Sequence, residues 1–198
     1  MIIFVRHAKT KLNSENLIQT TSDNDILNPT HLEIKTFKSR LKNAYLTIGE
    51  YSIDNNLKVI TSEYKRTKQT AEVFGFYNVS TDSRINELDL SGFELSNKDL
   101  LSNNKQFNND WNNSIPIIGV ESKLNFYMRL VDFLNSCKSN QNYLVFSHGL
   151  VIRSIISICV SNSINFNSIL NKIKLKNLGI AVVDPINLSL EGIYNNET

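Results

Sequence analysis

The sequence predicts an α/β protein, a sandwich of helices around a mainly parallel central sheet, and three observations carry that prediction. Short β-branched runs alternate with longer stretches whose apolar residues recur at helical spacing. With 198 residues, 41% of them hydrophobic and 20% charged, the chain can bury a sizeable core. Polar clusters containing Arg, Ser and His stand where three of the short runs end, which is where open α/β sheets bind ligands.

Taken in order, Ile2 to Arg6 reads as a buried strand, an apolar run ending in charge. A loop of Asn, Ser and Thr leads to Pro29. Leu32 to Ile48 follows as a helix, stopped by Gly49. Leu57 to Thr61 is the second strand. Ser62 suits the N-cap of a helix that places Tyr64, Thr67, Ala71 and Phe74 on one face and ends at Gly75. Tyr77 to Thr81 fits a third strand. Asn97 to Ser114 is the low-complexity stretch, rich in asparagine, with Phe107 and Trp111 as helical neighbours that cover the core. It reads as a variable surface excursion within one domain over 1–198, not as a linker. Val120, Leu124, Tyr127, Val131 and Leu134 define an amphipathic helix. Tyr143 to Ser147 is a buried strand, His148-Gly149 a turn, and Leu150 to Val160 an apolar helix. Lys172, Lys174 and Lys176 alternate with apolar residues as on a solvated strand edge. Ile180 to Val183 and Leu188 to Ile193 finish as strands around Pro185.

Composition excludes several functions. A net charge of +2 is too small for a nucleic-acid footprint, and no apolar stretch approaches a membrane span. The start, Met1 to Val5, runs straight into charge without a cleavage-site pattern, which argues against a signal peptide. Two cysteines, Cys137 and Cys159, both in apolar helical patterns, rule out a disulfide scaffold and a cysteine-based zinc site. They fit core packing in a reducing, cytoplasmic compartment. Lysine outnumbers arginine 15 to 6, and asparagine and isoleucine are abundant, which looks like compositional drift. Single asparagines therefore say little, and each arginine merits inspection.

The strand-end clusters are Arg6-His7, Ser62 through Arg66, and Ser147-His148-Gly149. Taken singly, an Arg-His pair after a strand is usually a solvated loop, and His-Gly a turn. Jointly they would bring two histidines and two arginines to one place. Arginine forks suit phosphate oxygens, and helices starting at Ser62 and Gly149 would aim backbone amides at the same point. No metal is called for, because His31 begins a helix and no His, Asp or Glu cluster has ligand spacing.

These residues resemble the histidine phosphatase superfamily, also called phosphoglycerate mutase-like. Its opening Arg-His-Gly-x-Thr-x-x-Asn is similar to Arg6, His7, Ala8, Thr10 and Asn13. Its Ser-x-x-x-Arg-x-x-x-Thr-Ala is matched by Ser62, Arg66, Thr70 and Ala71. Its acid segment, Glu-x-x-x-Gly-x-Trp-Glu-Gly, resembles Glu87 to Glu94 without a gap. Its Gly-Glu-Ser helix start with a later Arg is similar to Glu121, Ser122 and Arg129, and its Ser-His-Gly-x-x-x-Arg to Ser147, His148, Gly149 and Arg153. The matches keep their order and cover nearly the whole chain.

The resemblance implies a three-layer α/β/α sandwich and a metal-independent phosphatase with no cofactor. Its partner would be a small phosphorylated substrate. His7 would be the nucleophile that becomes a phosphohistidine, dividing one difficult displacement into two easier ones. Arg6, Arg66 and His148 would hold the equatorial oxygens, where charge gathers. Asn13 and Thr10 would add neutral hydrogen bonds, and Gly149 would present its amide. Glu87 would protonate the leaving oxygen and later take a proton from water. Asp89 and Glu94 are nearby competitors, and the ungapped register favours Glu87.

Ala8 replaces the family's glycine, Lys9 stands where Glu is common, His31 sits near an expected glycine, and Ser91 and Leu95 replace two glycines of the acid segment. These change loop shapes and leave the catalytic set intact. Phosphatase action on a small phosphomonoester is the first function implied. A phosphoglycerate mutase shares the chemistry, but those mutases shield the phosphoenzyme with a larger insertion than lies between Glu87 and Glu121. A non-catalytic phosphate-binding module is the third, since fold does not fix function.

Overall fold

The computed structural model of the protein describes residues 1–22, 24–49, 57–164 and 172–195. Six strands form one sheet: β1 (Ile2–Arg6), β2 (Leu57–Thr61), β3 (Ser80–Thr81), β4 (Asn142–Ser147), β5 (Ile180–Asp184) and β6 (Ser189–Tyr194), in the spatial order β3-β2-β4-β1-β5-β6. The four strands from β3 to β1 run parallel, and β5 and β6 add an antiparallel edge. The expected mainly parallel sheet is present.

Side chains alternate across β1, and this builds the three layers. Ile2 and Phe4 join Tyr143, Val145, Ala181 and Val183 on one face, under α6 (Lys123–Ser136) and α7 (Gly149–Ser161). Ile3 and Val5 join Leu144, Phe146, Ile180 and Val182 on the other, under α2 (His31–Thr47) and α3 (Lys65–Val73). Residues 2–5 are fully buried, and each such side chain contributes roughly 1.5–3 kcal/mol. Thr30 and Glu33 form a capping box at the start of α2, and Gly49 follows its end at φ +78°.

Several expectations are corrected. Ser62 does not cap α3; the N-cap is Tyr64, which makes no side-chain cap bond, because the Ser62 hydroxyl is engaged by His148 and Thr67. The third strand shrinks from Tyr77–Thr81 to Ser80–Thr81, with Tyr77 78% exposed. The buried stripe of α6 is Phe126, Leu130, Phe133 and Leu134, whereas Leu124 is exposed and Val120 precedes the helix. Leu175 between the lysines is buried, but that segment is irregular and not a strand edge. His148-Gly149 is the N-cap and first residue of α7 instead of a separate turn. The asparagine-rich excursion folds as α4 (Lys98–Ser102) and α5 (Lys105–Asn112), and Trp111 and Phe107 are buried. Cys159 packs in the core and Cys137 against it; burial pushes both thiols up to about 11. Among the described residues no helix is long and apolar enough to cross a membrane.

Candidate active site

The sheet register assembles the site. Arg6 of β1 lies opposite Ser147 of β4, and Thr61 of β2 lies opposite Phe146 on the other side of β4. The ladder runs one bond further on each side, His7 N donating to Ser147 O at 3.0 Å and Ser62 N to Phe146 O at 3.1 Å. All three polar clusters therefore leave the carboxyl end of the parallel strands side by side, as ligand sites in such sheets do.

His7 is 4% exposed. Its Nδ1 lies 2.7 Å from Ala8 O, and because a carbonyl only accepts, Nδ1 carries the proton and Nε2 keeps its lone pair. Ala8 N is tied to Thr70 Oγ1 at 2.9 Å, and Asn177 Nδ2 donates to His7 O at 2.9 Å. Burial, then the Arg66 and Arg6 guanidinium groups, hold the ring well below the usual histidine range, so it is neutral at pH 7.

The His148 ring stands 5.3 Å from that of His7, at 60°. Arg66 Nε donates to its Nδ1 at 3.3 Å, and its Nε2 donates to Ser62 Oγ at 2.8 Å, which is 2.9 Å from Thr67 Oγ1. Burial and Arg66 keep His148 neutral as well. A dianion nearby would favour the protonated ring, in which Nδ1 gives up the bond from Arg66 Nε so that both N–H groups can turn to the anion. Arg66 is fully buried, and its Nη1 and Nη2 donate to Ser22 O and Thr20 O, each at 3.0 Å. Glu94 holds the same loop through Thr20 N, Thr20 Oγ1 and Ser22 Oγ.

Arg6 donates through Nη1 to Leu175 O at 2.5 Å, and its Nε is buried with no hydrogen-bond partner. An unmet buried donor costs roughly 1–3 kcal/mol, which an anion would recover. A Cβ at Gly149 would stand 3.1 Å from that Nε, so glycine lets α7 begin against the guanidinium. Burial, with help from Arg153, lowers Arg6 to about 10.

A cavity of about 200 Å³ opens beside Arg6, Glu87 and Gly149 and is lined also by Lys98 and Arg153. Its apolar wall includes Ile18, Leu101 and Phe107. Glu87 accepts from Leu150 N at 3.3 Å through Oε2 and from Leu88 N at 3.1 Å through Oε1. Neither competitor lines that cavity: Glu94 is engaged by the Thr20–Ser22 loop, and Asp89 accepts from Ser91 N and borders a second cleft that Glu87 shares.

Two expected phosphate ligands are placed less directly. Thr10 is fully buried, and its hydroxyl donates to Gln19 Oε1 at 2.7 Å while capping α1 (Lys11–Ser14) through Asn13 N. The Asn13 amide oxygen accepts from Thr10 N and Asn177 Nδ2, which turns its NH₂ away from both.

Three residues were not singled out from sequence. Gln19 is 7% exposed, lines the cavity, and its Nε2 has no partner. Asn177 braces His7 and Asn13 from 164 or more residues away in sequence. Lys98 reaches the cavity from α4, where burial and then Arg6 lower it to about 8. Gln19 lies in the polar loop before Pro29, Lys98 in the asparagine-rich stretch, and Asn177 directly after the alternating lysines, where nothing in the sequence sets them apart. Among the described residues no group of three or more His, Cys, Asp or Glu could hold a metal ion. The set suits phosphoryl transfer: an imidazole lone pair, convergent cationic donors, and a carboxyl group at the mouth.

Known proteins of this architecture are numerous. The protein TTHB049 from Thermus thermophilus superposes with a TM-score of 0.72 at 17% identity, covering 98% of this chain and 99% of that one. The product of open reading frame Rv3214 from Mycobacterium tuberculosis gives 0.68 at 18% identity, covering 92% and 91%. A mutant phosphoserine phosphatase from Entamoeba histolytica, in complex with phosphoserine, gives 0.68 at 18% identity, covering 91% and 88%. At these identities the likeness establishes the fold. No curated protein matches the sequence. The family model for branch 1 of the histidine phosphatase superfamily matches residues 2–187, and with that match over nearly its whole length the chain belongs to this superfamily.

Proposed function

We propose that the protein is a phosphatase, a phosphoric monoester hydrolase that acts on a small phosphorylated molecule through a phosphohistidine on His7. The observation that carries this reading is the His7 ring, neutral and with its Nδ1 proton given to Ala8 O, so that Nε2 is a lone-pair donor among guanidinium groups. In the first step Nε2 attacks phosphorus, the ester P–O bond breaks, and Glu87 in its acid form gives its proton to the departing alkoxide. In the second, water attacks phosphorus, the N–P bond breaks, and the Glu87 carboxylate takes the water proton. Arg6, Arg66 and protonated His148 hold the equatorial oxygens in both steps, with Asn13 and the Gly149 amide beside them. Thr10 acts on this reading through Gln19 and Asn13.

Hydrolysis is favoured over transfer to a second hydroxyl because the region between Glu87 and Glu121 is spanned only by a single 3-10 turn (Ser91–Phe93) and two short α-helices, α4 and α5. The phosphoserine phosphatase among the structural neighbours is in keeping with a small phosphomonoester. The test is to quench the enzyme, mixed with ³²P-labelled nitrophenyl phosphate, and to map the label. An acid-labile, base-stable adduct on His7 is expected. Label on a serine, a cysteine or His148, or no turnover of any phosphomonoester in a broad panel, would reject the reading.

A further inference from the structure

We infer that Arg129 is a positioning residue for Glu87, holding with Glu121 the backbone that carries the acid; this rests on the proposed role of Glu87. Residues 86–90 belong to neither helix nor strand, so no ladder fixes the place of Glu87. Arg129, on α6, supplies that restraint. Its Nη1 donates to Arg84 O at 2.6 Å and Asn86 O at 2.8 Å, and its Nη2 donates to Glu87 O at 3.2 Å. The remaining two N–H groups meet the Glu121 carboxylate, Nε to Oε1 at 2.7 Å and Nη2 to Oε2 at 2.9 Å. All five guanidinium donors are thus engaged, three by carbonyls of one four-residue stretch.

Glu121 completes the hold. Its N–H donates to Asp89 O at 2.8 Å, its Oε2 accepts from Asp89 N at 3.4 Å, and its carbonyl accepts from Trp111 Nε1 at 3.1 Å. From the opposite side Ser147 Oγ donates to Ile85 O at 2.8 Å. Every carbonyl from 84 to 87 therefore has a fixed donor. Ile85 and Leu88 are fully buried, leaving the Glu87 side chain to project between them toward Leu150 N and the cavity. A displacement near 1 Å of a catalytic group can cost about a hundredfold in rate. Lysine cannot replace the planar fork that spans three carbonyls and a carboxylate.

A purely structural arginine would lower activity alike on all substrates. A positioning arginine should instead reproduce the loss of the acid. The experiment measures kcat and KM with glycerol phosphate, a poor leaving group, and with nitrophenyl phosphate, a good one, in a double-mutant cycle. Arg129→Lys should lower kcat on glycerol phosphate about tenfold or more. Its KM should move by less than about twofold, and its kcat on nitrophenyl phosphate should fall by less than about threefold. In a Glu87→Gln background the same change should add less than about twofold on either substrate. Glu121→Gln, which leaves the carbonyl contacts in place, should shift the ratio in the same direction by less, and decides the matter if Arg129→Lys does not fold. Equal losses on both substrates, or an undiminished loss in the Glu87→Gln background, overturn the inference and leave the acid assignment standing. A Glu87→Gln enzyme indifferent to leaving group overturns the acid assignment itself, and the positioning role with it.

Discussion

Arg66 donates its Nε–H to Nδ1 of His148 at 3.3 Å while its two Nη groups bind the carbonyls of Thr20 and Ser22. The fork is thus preformed, and its acceptors are neutral. In the proposed phosphate-binding role a dianion, a stronger acceptor than a peptide carbonyl, would displace them.

The first prediction follows from that fork. Arg66→Lys keeps the charge and loses the planar geometry, so kcat/KM should fall about a hundredfold or more. Steady-state kinetics with nitrophenyl phosphate check it, with circular dichroism confirming the fold. Near-normal kinetics would place Arg66 outside phosphate binding.

Glu87→Gln removes a transferable proton at nearly constant size. Turnover of glycerol phosphate should drop about a hundredfold or more, and that of nitrophenyl phosphate clearly less, because a nitrophenolate departs with little protonation. Asp89→Asn and Glu94→Gln should show no such dependence on leaving group. The same signature in Asp89→Asn would move the acid two residues along.

Lys98 supplies a cation to the cavity up to about pH 8, where it loses its proton. For an anionic substrate KM should therefore rise as pH climbs through about 8. Lys98→Met should show the high KM already at pH 7 and lack that limb of the profile. A profile unchanged by the substitution assigns the limb to another group.

His7 and His148 are buried in neutral form, both held well below the usual histidine range by burial and by Arg66. Below about pH 6.5 the unfolded chain takes up protons that the folded one refuses. Their contribution to stability is complete above that pH and lost as pH falls toward the folded values, by about 1.4 kcal/mol per pH unit for each ring. Urea titrations should give a stability roughly 2–3 kcal/mol lower at pH 5.5 than at pH 7.5. His148→Gln should halve the difference; an unchanged difference would trace it to other groups.

Leu95 occupies the left-handed region at φ +63°, which favours glycine, and it is 57% exposed. A leucine there stores roughly 1–2 kcal/mol of backbone strain. Leu95→Gly should leave thermal stability equal or higher despite the extra freedom of the unfolded chain. A fall in Tm of several degrees would mean that the side chain contributes packing that outweighs the strain.

Much of this was legible because the informative residues are short-range. β1 and β4 are built on continuous apolar runs and β2 on a largely β-branched run broken only by Lys58, so their ends, and with them Arg6, His7, Ser62 and His148, could be located within about a residue. What escaped depends on contacts across long sequence distances. Whether Ser62 caps α3 is decided by His148, 86 residues on, and the buried stripe of α6 by which side chains meet Phe4 and Ile85. Gln19, Lys98 and Asn177 could not be told from their polar neighbours, because only the fold reveals that they border the cavity or His7.

The division between β1–β4 pairing and the α4–α5 excursion has a practical consequence. His7 and His148 take their separation from paired strands, whereas Lys98, Leu101 and Phe107 border the cavity from two short helices that supply no strand to the sheet. On the proposed function, the part that would carry the phosphoryl group and the part that would meet the alcohol of the ester are therefore separable. On that reading, libraries confined to 98–108, which spare Trp111 and its bond to Glu121 O, should retune substrate choice while leaving the phosphoryl-transfer apparatus as it stands, in the way a tool head is exchanged on a fixed spindle.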